Sequence, residues 1–225
     1  WSNFSNQAGL ANISKFTFGL GSENQFLLSE LNEHTAACAI PVNGGVIGVN
    51  LNYFGFDLYN ETKIGLAFGK QLSKNFNIGV QLDYSETYIQ ESTNSLHNFT
   101  FKIGIQKQLS KELMLGAHIF NPTTVKLNED ENIPSLFRVG LRYDANQKVR
   151  VFTEGSLESE QNGNLHLGIE YKIINELALR TGFSTNPAKN SFGIGYSLNK
   201  IQIDVAVNKH PILGYSPQIS ISSTF

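Results

Sequence analysis

The chain has 225 residues and a formal net charge of -2, and 40% of its residues are hydrophobic, 16% charged and 11% aromatic. This near-neutral charge gives no electrostatic case for nucleic acid as a partner or for a polybasic membrane patch. No apolar run approaches the roughly 18 residues of a transmembrane helix, but the strands of a transmembrane barrel need only about 9–11 alternating residues each.

The N-terminal stretch differs from the rest because its polar and apolar side chains do not alternate cleanly. We predict one barrel domain over residues 1–225, in which residues 1–14 form a short plug or hatch and residues 15–225 form the barrel. The chain starts at Trp1 without an apolar leader, and we expect that a signal peptide has been removed. Its one cysteine, Cys38, excludes an internal disulfide and is interpreted as a small packed residue.

Fourteen strand-like runs follow in residues 15–225. Alternation with a period of two places one row of side chains on each face of a strand. The first two runs, about 15–28 and 33–42, are ambiguous. The next eleven alternate, with 147–157 the weakest, and they span about 45–54, 61–71, 75–89, 98–109, 112–120, 135–143, 147–157, 164–172, 176–184, 191–198 and 200–207.

The closing run, residues 216–225, shows most clearly why the sheet must close. Ile219, Ile221 and Phe225 alternate with polar side chains. An edge strand with such an apolar face would aggregate in water, whereas a sheet closed on itself can turn that face toward lipid. The sequence therefore predicts an all-β fold, a 14-stranded antiparallel transmembrane β-barrel. The terminal phenylalanine also resembles the C-terminal assembly signal of Gram-negative outer-membrane barrels.

The connections between the runs fall into two sets. Very short turns such as Asn43-Gly44 and Asn199-Lys200 alternate with longer, more polar loops such as 121–134. Outer-membrane barrels have short turns on the periplasmic side and longer loops on the other. Six short turns join runs 2–3 through 12–13, so both chain ends are expected on the short-turn side, which requires an even number of strands.

The second row of side chains, which faces the lumen in this interpretation, contains charges of both signs. They are Lys102, Arg138, Arg142, Arg150, Arg180, Asp83, Glu154, Glu170 and Asp204. An arginine facing lipid near the midplane would cost about 2–4 kcal/mol, so we place these residues inside. They could form a structural ion-pair network that fills the barrel, or a selectivity ring for a charged solute.

Catalytic and metal-binding signals are weak. The five histidines lack metal-ligand spacing, and there is no nucleophile elbow and no P-loop, so we predict no enzyme, metal or cofactor. His118 and His166 are expected to face inward, with Glu170 two inward positions from His166. An acyl hydrolase built on such a set stays an alternative to simple membership of a polar lumen network.

One short motif carries a family resemblance. Asn6-Gln7-Ala8-Gly9-Leu10-Ala11 resembles the Asn-Pro-Ala-Gly-Leu-Ala box of FadL-like outer-membrane barrels, and it is most similar to the PorV/PorQ-like branch of Bacteroidota. Gln7 departs from the proline of that box. The resemblance implies a 14-stranded barrel with an N-terminal plug, and it assigns Asn6, Ala8, Gly9 and Leu10 to the plug motif.

The resemblance implies two functions. FadL-like transporters carry hydrophobic molecules, and PorV-like members are accessory subunits of protein machines. The short connections and the charged lumen row favour the second. We therefore predict a non-catalytic accessory subunit of a larger complex in the outer membrane of a Gram-negative bacterium, in type IX secretion or outer-membrane protein assembly. Its partners would be outer-membrane lipids or lipopolysaccharide and a larger outer-membrane protein.

Two other functions stay open. One is a small passive channel or transporter for hydrophobic or small solutes, as in FadL-like proteins. The other is a soluble lipocalin-like binder, which predicts far fewer strands.

Overall fold

A computed structural model describes residues 1–90, 95–126, 132–159 and 161–225, and in these residues fourteen antiparallel strands form one closed barrel. Each strand pairs with its neighbours in sequence, and the first pairs with the last. The strands are β1 (Thr17–Asn24), β2 (Asn32–Val42), β3 (Gly45–Phe56), β4 (Tyr59–Ser73), β5 (Phe76–Ile89), β6 (Leu96–Gln108), β7 (Leu113–Phe120), β8 (Leu136–Asp144), β9 (Val149–Glu158), β10 (Asn164–Lys172), β11 (Leu177–Thr185), β12 (Ala188–Leu198), β13 (Ile201–His210) and β14 (Gly214–Thr224). The predicted fold class is confirmed.

In the residues that the structure describes, helical structure is limited to three short 3-10 turns. They are Gln7–Asn12, Gln25–Leu27 and Ser29–Leu31. Within the described part of the chain, no helix is both long and apolar enough to cross a membrane.

The seam between β1 and β14 completes the backbone hydrogen bonding of the wall. Leu20 lies opposite Ile221, and the backbone N–H of Phe225 donates to the carbonyl of Phe16 at 2.9 Å. Because lipid offers no hydrogen bonds, an open edge here would leave two rows of backbone groups unsatisfied. The predicted closure between the first and last strands is therefore confirmed.

The register places the apolar rows predicted for β3–β13 on the outside. Val80, for example, lies opposite Phe68 on one side and Ile103 on the other. Outward side chains are widely exposed, with Leu66 at 60% and Ile194 at 52%. A wall of exposed leucine, isoleucine and phenylalanine requires a lipid environment.

The β1–β2 pair explains why its two runs were ambiguous in the sequence. Its outward row includes Ser22 paired with His34, and Cys38 between Phe18 and Val49. Small and polar residues interrupt the apolar row here, so the period of two is weak. Cys38 is half-buried on the outer face.

The turns define two different rims. All six connections at the rim where β1 begins and β14 ends are short: residues 43–44, 74–75, 109–112, 145–148, 173–176 and 199–200. Gly44 adopts a φ of +93°, which a tight hairpin requires and most side chains disfavour. At the other rim, residues 25–31 and three connections partly outside the described residues are longer, but 57–58, 186–187 and 211–213 are as short as the turns opposite. The predicted alternation of short and long connections therefore holds only in part.

The interior is polar, which reverses the arrangement of a water-soluble barrel. Inward residues such as Asn50, Gln81 and Asp83 are buried, whereas the buried apolar cluster is only Leu10, Ala39, Val46 and Ala67 in the described residues. A soluble lipocalin-like binder would have fewer strands and an apolar inside. That alternative is wrong.

This inversion gives a test on one strand. Val205 lies at the middle of β13 and faces outward, whereas Gln202 faces the lumen and donates to Asp204 at 2.8 Å. We expect Val205→Arg to lower the free energy of unfolding in lipid vesicles by about 2–4 kcal/mol, because it places a cation in hydrocarbon. Equilibrium urea unfolding followed by tryptophan fluorescence measures this loss.

The matched control is Gln202→Arg, which adds the same side chain where Asp204 can accept its hydrogen bonds. It should cost much less than Val205→Arg. Equal losses for the two variants would contradict the assignment of inside and outside.

Candidate functional site: the barrel lumen

The N-terminal segment, residues 1–13, lies inside the barrel against β1–β7 and is bonded to the wall by three asparagines, of which Asn12 accepts from Asn77 of β5 at 3.0 Å. Asn6 accepts from the N–H of Ala8 at 3.1 Å, which caps the first 3-10 turn, and its amide donates to the carbonyls of Ile105 and Ala117 at 3.2 and 3.0 Å. Asn3 donates in the same way to the carbonyls of Cys38 and Val49 at 3.2 and 3.1 Å. The segment is thus hydrogen-bonded to β2 and β3 through Asn3 and to β6 and β7 through Asn6.

The predicted plug-motif residues lie together in this segment. Ala8 and Leu10 are fully buried, and Leu10 packs with the inward side chains of Val46 and Ala67. Gly9 passes so close to Ser2 that a Cβ would lie 2.5 Å from its hydroxyl oxygen. Gln7, at the position of the proline in the family box, is also buried and donates to the carbonyl of Asn3 at 3.1 Å.

Glycines of the wall make room for this segment. A Cβ on Gly79 would overlap the backbone of Gln7, and a Cβ on Gly104 would overlap the side chain of Asn6. A Cβ on Gly69 would lie 2.6 Å from the Cβ of Leu10. Without these glycines the segment could not pack this closely on β4, β5 and β6.

The nine lumen charges predicted from the sequence separate into three groups. Lys102 pairs with Asp83 at 2.9 Å beside the N-terminal segment. Arg138 lies 3.8 Å from Glu154, which is an ion pair without a hydrogen bond. The remaining five belong to a third, larger group across β8–β13.

This third group is here named the charge belt, and it alternates in sign across the wall. Its members are Arg142, Asp144, Arg150, Glu170, Arg180 and Asp204. Asp144 accepts from Arg150 Nε at 2.6 Å and lies 3.2 Å from Arg142 Nη2. Glu170 accepts from Arg150 at 3.1 Å and from Arg180 at 2.8 Å, and Arg180 also donates to Asp204.

Asp144 is a member of the belt that lies one residue beyond the predicted run 135–143. The structure extends β8 to Asp144, so this residue continues the inward row of Arg138, Gly140 and Arg142. The same spacing of two could have identified it.

Gly195 allows the belt to cross a strand that contributes no charge to it. Arg180 on β11 and Asp204 on β13 meet above β12, where a Cβ on Gly195 would lie 2.5 Å from Asp204 Oδ1 and 3.0 Å from both terminal nitrogens of Arg180. The ion pair therefore depends on the absence of a side chain at this position.

Cavities remain on the side of the lumen that the N-terminal segment leaves open. Phe152 and Glu154 line both a cavity of about 330 Å³ and a cavity of about 410 Å³. Glu170 lines the second of these and also a third cavity, of about 450 Å³. The third lies at the short-turn rim beside Asp144 and Lys172. These neighbouring cavities along β7–β11 beside the segment are here named the polar path, after the charged side chains that line them.

The histidines do not assemble a hydrolase. His166 faces inward and lies 3.2 Å from the hydroxyl of Ser156, but both carboxylate oxygens of Glu170 are bonded to arginines. His118 lies on β7, three strands away. The described residues contain no group of three histidine, cysteine, aspartate or glutamate side chains that could hold a metal ion.

The C-terminal residues lie on the outer wall at the seam. Ile221 lies between Leu20 and Ile203, and Ile219 faces outward two positions before it. The ring of Phe225 is 5.9 Å from that of Phe16. Their role as an assembly signal stays a prediction.

No protein-family model matches the sequence, and no curated protein matches it either. Solved structures, in contrast, match over almost the whole chain. The P. putida toluene transporter TodX has a TM-score of 0.74 at 13% identity, over 100% of this chain and 94% of that one. A Pseudomonas aeruginosa FadL homologue has a TM-score of 0.68 at 11% identity, over 100% and 93%. The Acinetobacter baumannii outer membrane protein Omp33 has a TM-score of 0.63 at 8% identity, over 94% and 98%.

At these identities the likeness establishes the fold, which is that of FadL-like outer-membrane barrels. The predicted location in the outer membrane of a Gram-negative bacterium is confirmed by this fold together with the lipid-facing wall. Assignment to the PorV/PorQ-like branch stays a prediction.

The charge belt gives a test of its own. We expect Gly195→Ala to destabilise the barrel by about 1–3 kcal/mol, because the methyl group separates Arg180 from Asp204 or forces them off their rotamers. The midpoint and slope of urea unfolding in lipid vesicles measure the loss.

Gly168→Ala is the matched control, since Gly168 also faces the lumen and a Cβ there would find its nearest neighbour, in Phe152, at 3.6 Å. It should change the midpoint little. If both variants unfolded at the same urea concentration as the parent, Gly195 would not be needed for the belt.

Proposed function

We propose that this protein is a passive outer-membrane channel for small solutes. The observation that carries the proposal is the polar path along β7–β11, which the N-terminal segment leaves open. The shared fold with structures described as a toluene transporter and a monoaromatic hydrocarbon channel supports a transport function. This was the alternative in the sequence analysis, and it now ranks above the accessory subunit.

The lining of the path favours polar solutes over hydrocarbons. Arg138, Arg142, Glu154, Glu170 and Arg180 border its cavities. Sites for hydrophobic ligands are lined mainly by apolar and aromatic side chains, with few polar groups. The transported solute is therefore small and water-soluble, unlike the toluene named for TodX.

The ion pairs shape the path without closing it. Arg150 and Arg180 are each held by two carboxylates, so their side chains have fixed positions against the wall. Fixed charges keep the path hydrated and leave its diameter constant, which suits diffusion down a gradient.

An accessory role in a larger complex is the second candidate. Three connections at the rim opposite the chain ends have only two or three residues. Such short connections give little material for capturing a ligand from outside, and they leave that rim open to a protein partner. Outer-membrane lipids or lipopolysaccharide and a larger outer-membrane protein are the partners proposed for this role.

Conductance tests the channel. We expect the purified protein to give discrete conductance steps in planar bilayers, and Gly168→Trp to reduce them strongly, because the indole would enter the cavity shared by Phe152 and Glu170. The control is Ile169→Trp on the same strand, where the indole faces lipid and conductance should be unchanged. Folded wild-type barrels that never conduct would refute the channel.

Isolation from native membranes tests the second candidate. An accessory subunit should co-purify in mild detergent with a reproducible, stoichiometric outer-membrane protein, identified by mass spectrometry. Exclusive recovery of the barrel alone would eliminate this role. That result would not bear on the channel, which is tested separately by conductance.

A further inference from the structure

A recess in the inner wall lies where two glycines face each other across β7 and β8. Gly116 is opposite Gly140, so two adjacent inward positions carry no side chain. His118 lies opposite Arg138 at one end of the recess, and Met114 lies opposite Arg142 at the other. The cavity over this recess is the one of about 330 Å³, and Asn6 of the N-terminal segment borders it.

Donors around this recess lack acceptors. His118 is only 6% exposed, and neither ring nitrogen has a hydrogen-bond partner in the described ranges. Nε of Arg138 and Nε of Arg142 are likewise buried without a hydrogen bond among the described residues. Buried polar groups are nearly always paired, so three such side chains around one cavity indicate that water or a bound solute supplies the acceptor.

The charge around the recess is positive. Glu154 is the one carboxylate that lines it, and it lies 3.8 Å from Nε of Arg138, beyond hydrogen-bond distance. Asp144 engages only the Nη2 side of Arg142. In contrast, Arg150 and Arg180 each bond to two carboxylates. The recess therefore holds two guanidinium groups with spare donors, whereas the rest of the belt is neutralised.

We propose that this recess is a binding site for a small oxyanion, the carboxylate or phosphate group of a solute in the lumen. Planar guanidinium groups bind both oxyanions with two parallel hydrogen bonds, and one nitrogen of His118 carries a hydrogen in either neutral tautomer. Arg138 and Arg142 lie four residues apart on one strand, about 13 Å at 3.3 Å per residue, and both line the cavity over Gly140. The site rests on these residues alone, and its role in transport rests on the proposed channel.

Binding can be measured on the detergent-solubilised barrel without any conductance. Inorganic phosphate is followed by 31P NMR line broadening and 13C-labelled acetate by 13C line broadening, both at a constant ionic strength set with chloride. We expect saturable broadening by the wild type. Broadening of phosphate alone assigns the site to phosphate groups, of acetate alone to carboxylates, and of both to either group.

The variants separate the recess from general lumen charge. Arg138→Gln and Arg142→Gln should each weaken binding by about tenfold, the usual effect of losing hydrogen bonds to a charged group. Arg150→Gln removes the same charge where both carboxylates are already bound, so binding should change little. Heat-modifiable mobility on gels confirms that each variant is folded.

Gly116→Val keeps every charge and fills the recess, since a Cβ there has its nearest neighbour at 3.5 Å. It should abolish binding in a folded barrel. The proposal is overturned if the wild type gives no saturable broadening with either anion, if Arg150→Gln weakens binding as much as Arg138→Gln, or if Gly116→Val binds normally. A barrel that binds but does not conduct keeps the site and refutes the channel.

Discussion

The closure of the sheet is the constraint on which the rest of this structure depends. In hydrocarbon, a backbone N–H or carbonyl without a partner costs several kcal/mol, so every strand must have two neighbours. The pairing of β1 with β14 supplies the last of these partners. Once the sheet is closed, one row of each strand must be apolar for lipid, and the other row is free to be polar.

This freedom explains the unusual interior. The lumen holds a polar N-terminal segment, several groups of ion pairs and a polar path, because the stability of the barrel does not require an apolar core. Long-range order inside comes from hydrogen bonds and charges that span several strands. Glycine matters for the same reason, since Gly79 and Gly195 let a backbone segment or an ion pair approach the wall.

Much of the fold could be read from the sequence, because a period of two fixes which residues share a face. The rows of β3–β13 and the seam at Ile221 follow from it, and solved structures with only 8–13% identity have the same fold. The lumen contacts could not be predicted in the same way. Which charges meet depends on the stagger between strands, so Arg180 reaches Asp204 across β12, whereas Glu170 turns away from His166. The sequence favoured an accessory subunit over a channel. The polar path favours a channel, but it depends on how the N-terminal segment packs in the lumen, which alternation does not predict.

The attachment of the N-terminal segment has a consequence for how the molecule is put together. Asn6 donates to carbonyls on both β6 and β7, about 100 residues further along the chain, so these bonds cannot exist until that hairpin has formed. Residues 14–16 connect the segment directly to β1, which is one side of the seam. Docking of the segment therefore requires the β6–β7 hairpin, although the segment precedes this hairpin in the chain and adjoins one side of the seam.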